Sequence, residues 1–293
     1  MALRTPRFMN DPARYPVSAF RQSEDGLNNS SPQIILGIDA GSTRIKGALW
    51  TGSSWLLHTL PSCVSYEQSI ADLIRPMVSV AGMVPEQIIA TGYGRKMVTG
   101  ASGISNEIGC HGKGAAYLVP GARTIIDIGG QDAKIISILD DGKVIDFAMN
   151  DKCAAGTGRF LSILADTLAL PLAGLGDIGS GIEPMRLSSM CTVFAESEVI
   201  GLLSRGCPVP DIVAGIHDAI ARRTVSLASR LTLAPIMVFT GGVSANSDIV
   251  ARVSQMISLD ITVPEHAEFS GAIGAVLSVC HPDPWSLVPI TML

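Results

Sequence analysis

Two short segments of the sequence place an aspartate, a glycine and a lysine at the same spacing. Asp39–Lys46 follows one apolar run, and Asp127–Lys134 follows another apolar run 88 positions later. Both have the pattern D-x-G-x-x-x-x-K, which is typical of a buried strand that ends at an acid and turns back through a glycine. A single D-x-G turn is most often only a tight turn, but two in register indicate two copies of one supersecondary unit.

A pair of such turns is suited to holding a nucleotide. The backbone N–H groups of two glycine hairpins that face each other can bind the β- and γ-phosphates, as backbone nests do. The chain has neither a G-x-x-x-x-G-K-[ST] motif nor a G-x-G-x-x-G after a strand, which excludes the P-loop and the dinucleotide-binding fingerprint. A third glycine turn, Thr240–Asn246, follows an apolar run and opens a helical pattern, so it suits contact with the adenosine or the α-phosphate.

The two aspartates cannot face phosphate directly without repulsion. We expect Asp39 and Asp127 to act instead as ligands, through water, of a bridging Mg²⁺ ion. Together with Gln131 they are the catalytic candidates for orienting the metal or the attacking water. Lys46 and Lys134 could equally serve only to brace their turns, because a lysine at a strand edge is more often solvated. The residues expected to bind ATP or ADP are Gly41, Ser42, Thr43, Lys46, Gly129, Gly130, Gln131, Asp132, Gly241, Gly242, Val243 and Asn246.

The composition describes a chain that can bury a substantial core. Its 293 residues, 47% of them hydrophobic and 16% charged, suit two domains of ordinary size. The net charge of −5, without any basic block, argues against nucleic acid as a partner. No apolar run approaches the ~18 residues of a membrane-spanning helix. The N-terminus also lacks the pattern of a secretory signal. We therefore expect no membrane association and a cytoplasmic location, with reduced cysteines.

Hydrophobic periodicity predicts the same order of elements in both halves of the chain. The first half is predicted to have strands at 33–40, 44–50, 54–60 and 87–91, and helices at 69–80 and 106–118. The second half is predicted to have strands at 124–128, 133–139, 144–149, 235–240 and 261–263, and helices at 159–168, 192–204, 211–231, 247–257 and 271–279, with a loop at 171–184. This order indicates an α/β sheet duplicated around a cleft. The expected division is a flexible tail at 1–31, domain I at 32–121 with a C-terminal helix at about 269–293, and domain II at 122–268.

Two of the six cysteines stand directly before predicted helices. Cys153 precedes a glycine turn and a helix, and Cys191 precedes the helix at 192–204. The partial positive charge of a helix N-terminus favours a thiolate, and it would also favour an anionic iron–sulfur cluster. Two cysteines cannot complete a four-thiolate site, so a two-fold homodimer would have to supply the other two. The remaining cysteines lack this flanking pattern and are expected to be core or surface thiols: Cys63, Cys110, Cys207 and Cys280.

The three glycine turns and their order resemble the superfamily of ATPases that includes acetate kinase, sugar kinases, heat-shock chaperones and actin. This resemblance implies two RNase-H-like domains with ATP bound between them. Over about residues 33–279 the chain looks more narrowly like the activator ATPases of 2-hydroxyacyl-CoA dehydratases, and more loosely like the ATPase subunits of benzoyl-CoA reductases. The strings that carry the narrower resemblance are GIDAGSTRIK (37–46), TGYGR (91–95), NEIGCHGKGA (106–115), DIGGQDAK (127–134), NDKCAAGTGRFL (150–161), CTVFAESEVI (191–200) and FTGGVSAN (239–246).

The resemblance implies ATP hydrolysis coupled to electron transfer. A homodimer would hold one 4Fe–4S cluster through Cys153 and Cys191 of each copy. It would take an electron from ferredoxin or flavodoxin and pass it to a partner dehydratase or related reductase, with nucleotide binding shifting the two domains about the cleft. Two other functions remain open. A small-molecule kinase, such as a sugar or N-acetylhexosamine kinase, would not need the two cysteines, and a nucleotide-sensing module would not hydrolyse ATP.

Overall fold

The structure is a computed structural model that describes residues 33–63, 65–150, 156–187, 192–282 and 289–293. The expected N-terminal tail, Cys153 and Cys191 lie outside the described residues. No helix in the described part of the chain combines the length and the apolar character needed to cross a membrane.

The first part of the chain forms a sheet and two helices. These elements are β1 (Ile35–Ala40), β2 (Arg44–Trp50), β3 (Trp55–Pro61), α1 (Tyr66–Ala81), β4 (Gln87–Thr91), β5 (Gly103–Ile104) and α2 (Glu107–Leu118). The second part forms β6 (Thr124–Ile128), β7 (Ala133–Ile138), β8 (Val144–Asn150), α3 (Gly158–Thr167), α4 (Leu175–Gly179), α5 (Thr192–Ser204), α6 (Val209–Ala228), β9 (Met237–Thr240), α7 (Ser247–Ile257), β10 (Ile261–Thr262), α8 (Ser270–Val276) and β11 (Ile290–Met292).

The two sheets have one topology. The strand order β3-β2-β1-β4-β5 in the first sheet matches β8-β7-β6-β9-β10 in the second. In each sheet an antiparallel meander is joined in parallel to the fourth strand of the unit, β1 to β4 and β6 to β9. The first sheet has one further strand, β11, which pairs in parallel with β3. The predicted duplication of an α/β sheet is therefore confirmed.

Apolar side chains explain why β1 and β6 are the central strands of their sheets. All six residues of β1 and all five of β6 are buried, as expected for strands covered on both faces. Helix α1 presents Ile70, Leu73 and Met77 to the first sheet at helical spacing, and Gly82 ends it in the left-handed conformation.

Helices α2 and α8 cross between the two sheets. A Cβ atom at Gly114 would lie 1.9 Å from the carbonyl oxygen of Ser270, and one at Gly274 would lie 1.8 Å from that of Cys110. Only glycine allows the two backbones to approach this closely. Ala115 of α2 packs with apolar residues of the second sheet, whereas Ile273 of α8 packs in the first. This crossing brings the N-terminal turn of α2 to the edge where both strand turns lie.

Three elements differ from the sequence-based expectation. The helix near the C-terminus is shorter than predicted, because α8 ends at Val276 and residues 290–292 form β11. The predicted loop at 171–184 contains α4, which was not predicted because the four glycines of this segment are typical of a loop. The two-residue strand β5 is too short to give a periodic signal. The division into two domains at residue 121 stays a prediction.

Candidate functional site

The turns of the two D-x-G hairpins face each other across one cleft. A Cβ atom at Gly130 would lie 2.3 Å from Oγ1 of Thr43, so the β1–β2 and β6–β7 turns are nearly in contact. The space between the turns is about 480 Å³ when the adjoining open solvent is included. Most of the predicted site residues line it: Asp39, Gly41, Ser42, Thr43, Lys46, Asp127, Gly129, Gly130, Gln131, Asp132 and Gly241. The sequence-based prediction missed Tyr93, Glu107, His111 and Glu268, which also line it, and left Lys134 as a turn brace.

Strand register places the acid and the lysine of each hairpin directly opposite each other. Asp39 pairs with Lys46, and Asp127 pairs with Lys134. In both hairpins the lysine Nζ lies 3.3 Å from Oδ2 of its aspartate. The repeated spacing in the sequence is therefore a repeated ion pair at the same edge of each sheet.

Lys134 is buried and balances three carboxylates. Its Nζ lies 2.7 Å from Oδ1 of Asp132 and 3.0 Å from Oε1 of Glu107, in addition to its contact with Asp127. Burial alone would lower the pKa of this amine, but the three acids outweigh burial and raise it. Lys134 is thus a charged residue of the cleft wall, and it is not the solvated strand-edge lysine that the sequence suggested. Lys46 is also enclosed, and its pKa is raised because Asp39 and Asp127 outweigh burial.

Asp127 is an ionised carboxylate at the base of the cleft. Thr240 donates a hydrogen bond of 2.9 Å to its Oδ1, and Lys134 contacts its Oδ2. Burial would raise the pKa of Asp127, but His111, Lys134, Thr240 and Lys46 together hold it at about 2. A buried carboxylate that stays charged near neutral pH is suited to attracting a cation.

His111 of α2 lies between the two aspartates. Its Nδ1 is 3.3 Å from Oδ1 of Asp127, yet the two atoms are poorly aligned, and this buried nitrogen has no hydrogen-bond partner among the described residues. A Cβ atom at Gly271 would lie 3.2 Å both from Nε2 of His111 and from Oδ2 of Asp39. The imidazole is therefore enclosed between the two hairpins.

The third glycine turn follows β9 at the same edge. Gly241 has φ of +82°, and a Cβ atom there would lie 2.4 Å from the carbonyl oxygen of Ile128, so the position requires glycine. Residues Gly242–Ala245 then form one 3₁₀ turn, and Asn246 caps α7. The side chains of Val243 and Asn246 are buried, and Gly242 is exposed. None of these three residues lines the cleft. Their predicted contacts with the nucleotide stay a prediction.

Helix α3 is attached directly to the second hairpin. The N–H of Gly158 donates to the carbonyl oxygen of Gly129 at 2.8 Å, and the N–H of Arg159 donates to that of Gly130 at 2.9 Å. The cysteine motif at 150–161 therefore includes two residues, Gly158 and Arg159, that are hydrogen-bonded to the second hairpin. Within the described ranges, no three His, Cys, Asp or Glu side chains converge closely enough to ligate a metal directly.

The four described cysteines have no common environment. Cys110 is buried, Cys63 is exposed, and Cys207 and Cys280 are partly exposed. Burial raises the pKa of the Cys110 thiol, whereas a hydrogen bond with Ser69 lowers that of Cys63. This distribution agrees with their expected role as core or surface thiols.

Comparisons with known proteins identify relatives of the whole described core. The sequence profile of the BadF/BadG/BcrA/BcrD ATPase family matches residues 36–279. The 2-hydroxyisocaproyl-CoA dehydratase activator of Clostridioides difficile is 40% identical over 247 residues, which cover 83% of this chain and 93% of that protein. A benzoyl-CoA reductase component of Thauera aromatica is 32% identical over 174 residues, which cover 57% of this chain and 62% of that protein.

A solved structure shows the same fold with a nucleotide analogue. The activator of the 2-hydroxyisocaproyl-CoA dehydratase from Clostridium difficile with bound ADPNP superposes with a TM-score of 0.80 at 38% identity, and the match covers 84% of this chain and 94% of that one. The expected fold, duplicated RNase-H-like sheets of the actin-like ATPase type around a nucleotide cleft, is confirmed.

Proposed function

Because the chain belongs to the BadF/BadG/BcrA/BcrD ATPase family, we propose that it is the ATP-hydrolysing activator of a 2-hydroxyacyl-CoA dehydratase. The observation that carries this proposal is the pair of Asp–Lys hairpins closing one cleft in a chain 40% identical to a named dehydratase activator. In this role the ATPase passes a low-potential electron from ferredoxin or flavodoxin to the dehydratase.

The nucleotide would lie between the hairpins. Backbone N–H groups of Ser42–Thr43 and Gly130–Asp132 would hold the β- and γ-phosphates, because the N–H groups of Gly41 and Gly129 donate to carbonyl oxygens within their own turns. The Gly241–Asn246 turn would face the α-phosphate or adenosine. Gln131 lines the cleft, and its amide can both donate to and accept from an attacking water.

The donors in the cleft suit Mg²⁺ bound through water. Asp39 and Asp127 are buried, provide hard oxygen ligands and stand at equivalent positions of the two hairpins. Mg²⁺ usually keeps several waters and takes only one or two carboxylates, so two aspartates without a third protein ligand are sufficient. A bound Mg²⁺ would neutralise charge that develops on the transferred phosphoryl group.

The electron-transfer part rests on Cys153 and Cys191. These residues of two copies would hold one 4Fe–4S cluster, which would supply a one-electron carrier. Two features of the described residues support this assignment. Helix α3, which follows the Cys153 motif, is hydrogen-bonded to the second hairpin. Helix α5, which follows Cys191, exposes 68% of Phe194 and 50% of Ile200, as a surface covered by a second copy would.

Two alternative functions differ from this proposal, one in how much of the chain its relative matches and the other in its need for an iron–sulfur cluster. An ATPase component of a benzoyl-CoA-reductase-like enzyme would share the cleft, but the relative of that kind matches a shorter part of both chains at lower identity. A sugar or N-acetylhexosamine kinase would need neither Cys153 nor Cys191 and should be colourless.

The deciding experiment is anaerobic purification followed by iron, sulfide and ATPase assays. We expect about four irons and four sulfides per dimer, and ATP-dependent reduction of a 2-hydroxyacyl-CoA dehydratase. Cys153→Ser and Cys191→Ser should each lose the iron and the electron transfer while still binding ADP. Cys63→Ser, which changes an exposed cysteine outside the motifs, should keep both the iron and the electron transfer. Full iron content in the first two variants would refute the ligand assignment.

A further inference from the structure

A buried polar network lies behind the third glycine turn, and three of its members, His217, Asp248 and Arg252, have no role in the function proposed above. His217 of α6 is fully buried, and both of its ring nitrogens have partners that come from the start of α7. Nδ1 lies 2.7 Å from Oδ2 of Asp248, and Nε2 lies 3.0 Å from Nδ2 of Asn246. Asn246 is the last residue of the glycine turn and the N-cap of α7.

The hydrogen bonds define the tautomer of His217. Oδ1 of Asn246 accepts the backbone N–H of Ile249 at 3.0 Å, so the amide NH₂ of Asn246 must face the imidazole. Nε2 of His217 therefore accepts, and Nδ1–H donates to the carboxylate of Asp248. Burial lowers the pKa of His217 despite the opposing effect of Asp248, which agrees with a neutral ring.

The network continues from α7 to the last residue of α4 and the segment that follows it. Nε of Arg252 donates to Oδ2 of Asp248 at 2.9 Å. An NH₂ group of Arg252 donates to the carbonyl oxygens of Gly179 and Ile182 at 3.1 and 3.0 Å. A Cβ atom at Gly179 would lie 2.7 Å from Nδ1 of His217, so only glycine lets α4 approach the imidazole this closely.

A purely structural core at this place would not need these groups. Burying a histidine, an aspartate and an arginine costs free energy that apolar residues of similar volume would avoid. What the polar groups add is direction, because each hydrogen bond fixes one partner relative to the next. The groups fixed in this way are the end of the glycine turn on one side and residues 179–182 on the other.

We propose that His217 positions the third glycine turn for the nucleotide and, through Asp248 and Arg252, fixes residues 179–182 against that turn. The proposal rests on the function proposed above, because it assumes that the Gly241–Asn246 turn contacts the nucleotide. His217 does not line the cleft and is therefore a positioning residue.

Two substitutions test the two ring nitrogens of His217 separately. His217→Asn retains a donor near the position of Nδ1 but leaves the amide of Asn246 without an acceptor. His217→Gln retains an acceptor near the position of Nε2. We expect His217→Asn to raise the Kd for ADP and the KM for ATP about tenfold, as the loss of one buried hydrogen bond allows. Its kcat should stay within about twofold, and His217→Gln should change the Kd by less than about threefold. Unchanged nucleotide constants in a folded His217→Asn variant would overturn the proposal.

Two control variants separate this outcome from others. Thr224→Val removes a buried hydroxyl from the same helix, where it donates to the carbonyl oxygen of Ile220, and should leave nucleotide binding unchanged. Gly242 is exposed with open space around its Cα, so Gly242→Asp adds a carboxylate at the edge of the turn without a clash. If Gly242→Asp weakens ADP binding and His217→Asn does not, only the positioning proposal fails. If neither variant weakens binding, the turn does not contact the nucleotide. The positioning proposal and the assignment of this turn to the nucleotide site then both fail.

Hydrogen exchange tests the link to residues 179–182 without depending on the folding of a His217 variant. In the native chain, ADP should slow amide exchange in peptides covering both 241–249 and 175–187. In Arg252→Gln the first peptide should still be protected by ADP, and the second should lose its nucleotide-dependent protection. Equal exchange of the 175–187 peptide with and without ADP in the native chain would refute the link.

Discussion

The two Asp–Lys hairpins have one geometry but different surroundings. Register and Nζ–Oδ2 distance are the same in both. Among the described residues, however, Lys46 makes an ion pair with one carboxylate, Asp39, whereas Lys134 pairs with Asp127, Asp132 and Glu107. Duplication therefore accounts for the pair within each hairpin, and helix α2 adds a further acid only to the second.

The two aspartates also differ in their hydrogen bonds to the neighbouring parallel strand. Thr91 and Thr240 occupy equivalent positions, each opposite the aspartate on the adjacent parallel strand. Thr240 donates to Asp127, but Thr91 donates to the carbonyl oxygen of Ser105. The second hairpin is thus connected to its surroundings by more charged and polar contacts, and it also holds the start of α3. We therefore expect the second hairpin to be the fixed side of the cleft and the first to be the side that a ligand rearranges more easily.

The largest expected effect is the loss of the lysine from the fixed side. Lys134→Met leaves three carboxylates close together without their cation, which should lower the free energy of unfolding by about 3–5 kcal/mol. Lys46→Met leaves one such carboxylate and should cost about 1–2 kcal/mol. Urea unfolding of the two variants and the native chain measures both values. Equal losses would contradict the assignment of the second hairpin as the more strongly connected one.

A smaller effect concerns the pH dependence of stability. The pKa of Asp127 is lowered from 3.8 to about 2 on folding, so the folded state favours the charged form. Its contribution of about 2 kcal/mol is fully present above about pH 4 and is lost as the pH falls towards 2. The stability difference between the native chain and Asp127→Asn should therefore shrink over this range, as urea titrations at several pH values would measure.

Asp132 provides a control of opposite sign on the same hairpin. Burial raises the pKa of Asp132, although Lys134 opposes this effect. A raised carboxyl pKa means that the folded state binds the proton more readily, so the native chain should gain stability relative to Asp132→Asn as the pH falls through that pKa. If both aspartates showed the same trend, the charge distribution described for this hairpin would be wrong.

The Asp–Lys pair of each hairpin is set by strand register, so a local pattern contains it, although no such pair was predicted from the sequence. The D-x-G-x-x-x-x-K spacing places the acid and the lysine opposite each other once the chain turns back, and the apolar runs before them give the strands. The cross-strand partner of each aspartate is therefore contained in eight consecutive residues. The apolar runs and turns also predicted the three-strand meander of each sheet and its duplication, but not the short strands β5 and β11.

Contacts between distant elements could not be predicted in this way. Glu107 and His111 lie on a helix between the two hairpins, and no local pattern indicates that this helix crosses at the cleft. Lys134 makes an ion pair with Glu107 of that helix, a contact that the hairpin sequence alone does not indicate. Asn246 was predicted as a nucleotide contact from its place in a glycine turn, but its partner His217 lies 29 positions away. In each case the deciding neighbour comes from another element.

The smallest effect tests the two equivalent threonines. Thr240→Val removes the hydroxyl that donates to the buried Asp127 and should lower the free energy of unfolding by about 1–2 kcal/mol. Thr91→Val removes a longer bond, 3.3 Å, to a neutral carbonyl and should cost less, about 0.5–1 kcal/mol. Both side chains are fully buried, so the difference between the variants reflects the acceptor and not the burial. Thr240→Ser, which keeps the hydroxyl, should recover part of the loss. If both valine variants cost the same, the hydrogen bond from Thr240 would not contribute to the difference between the two hairpins.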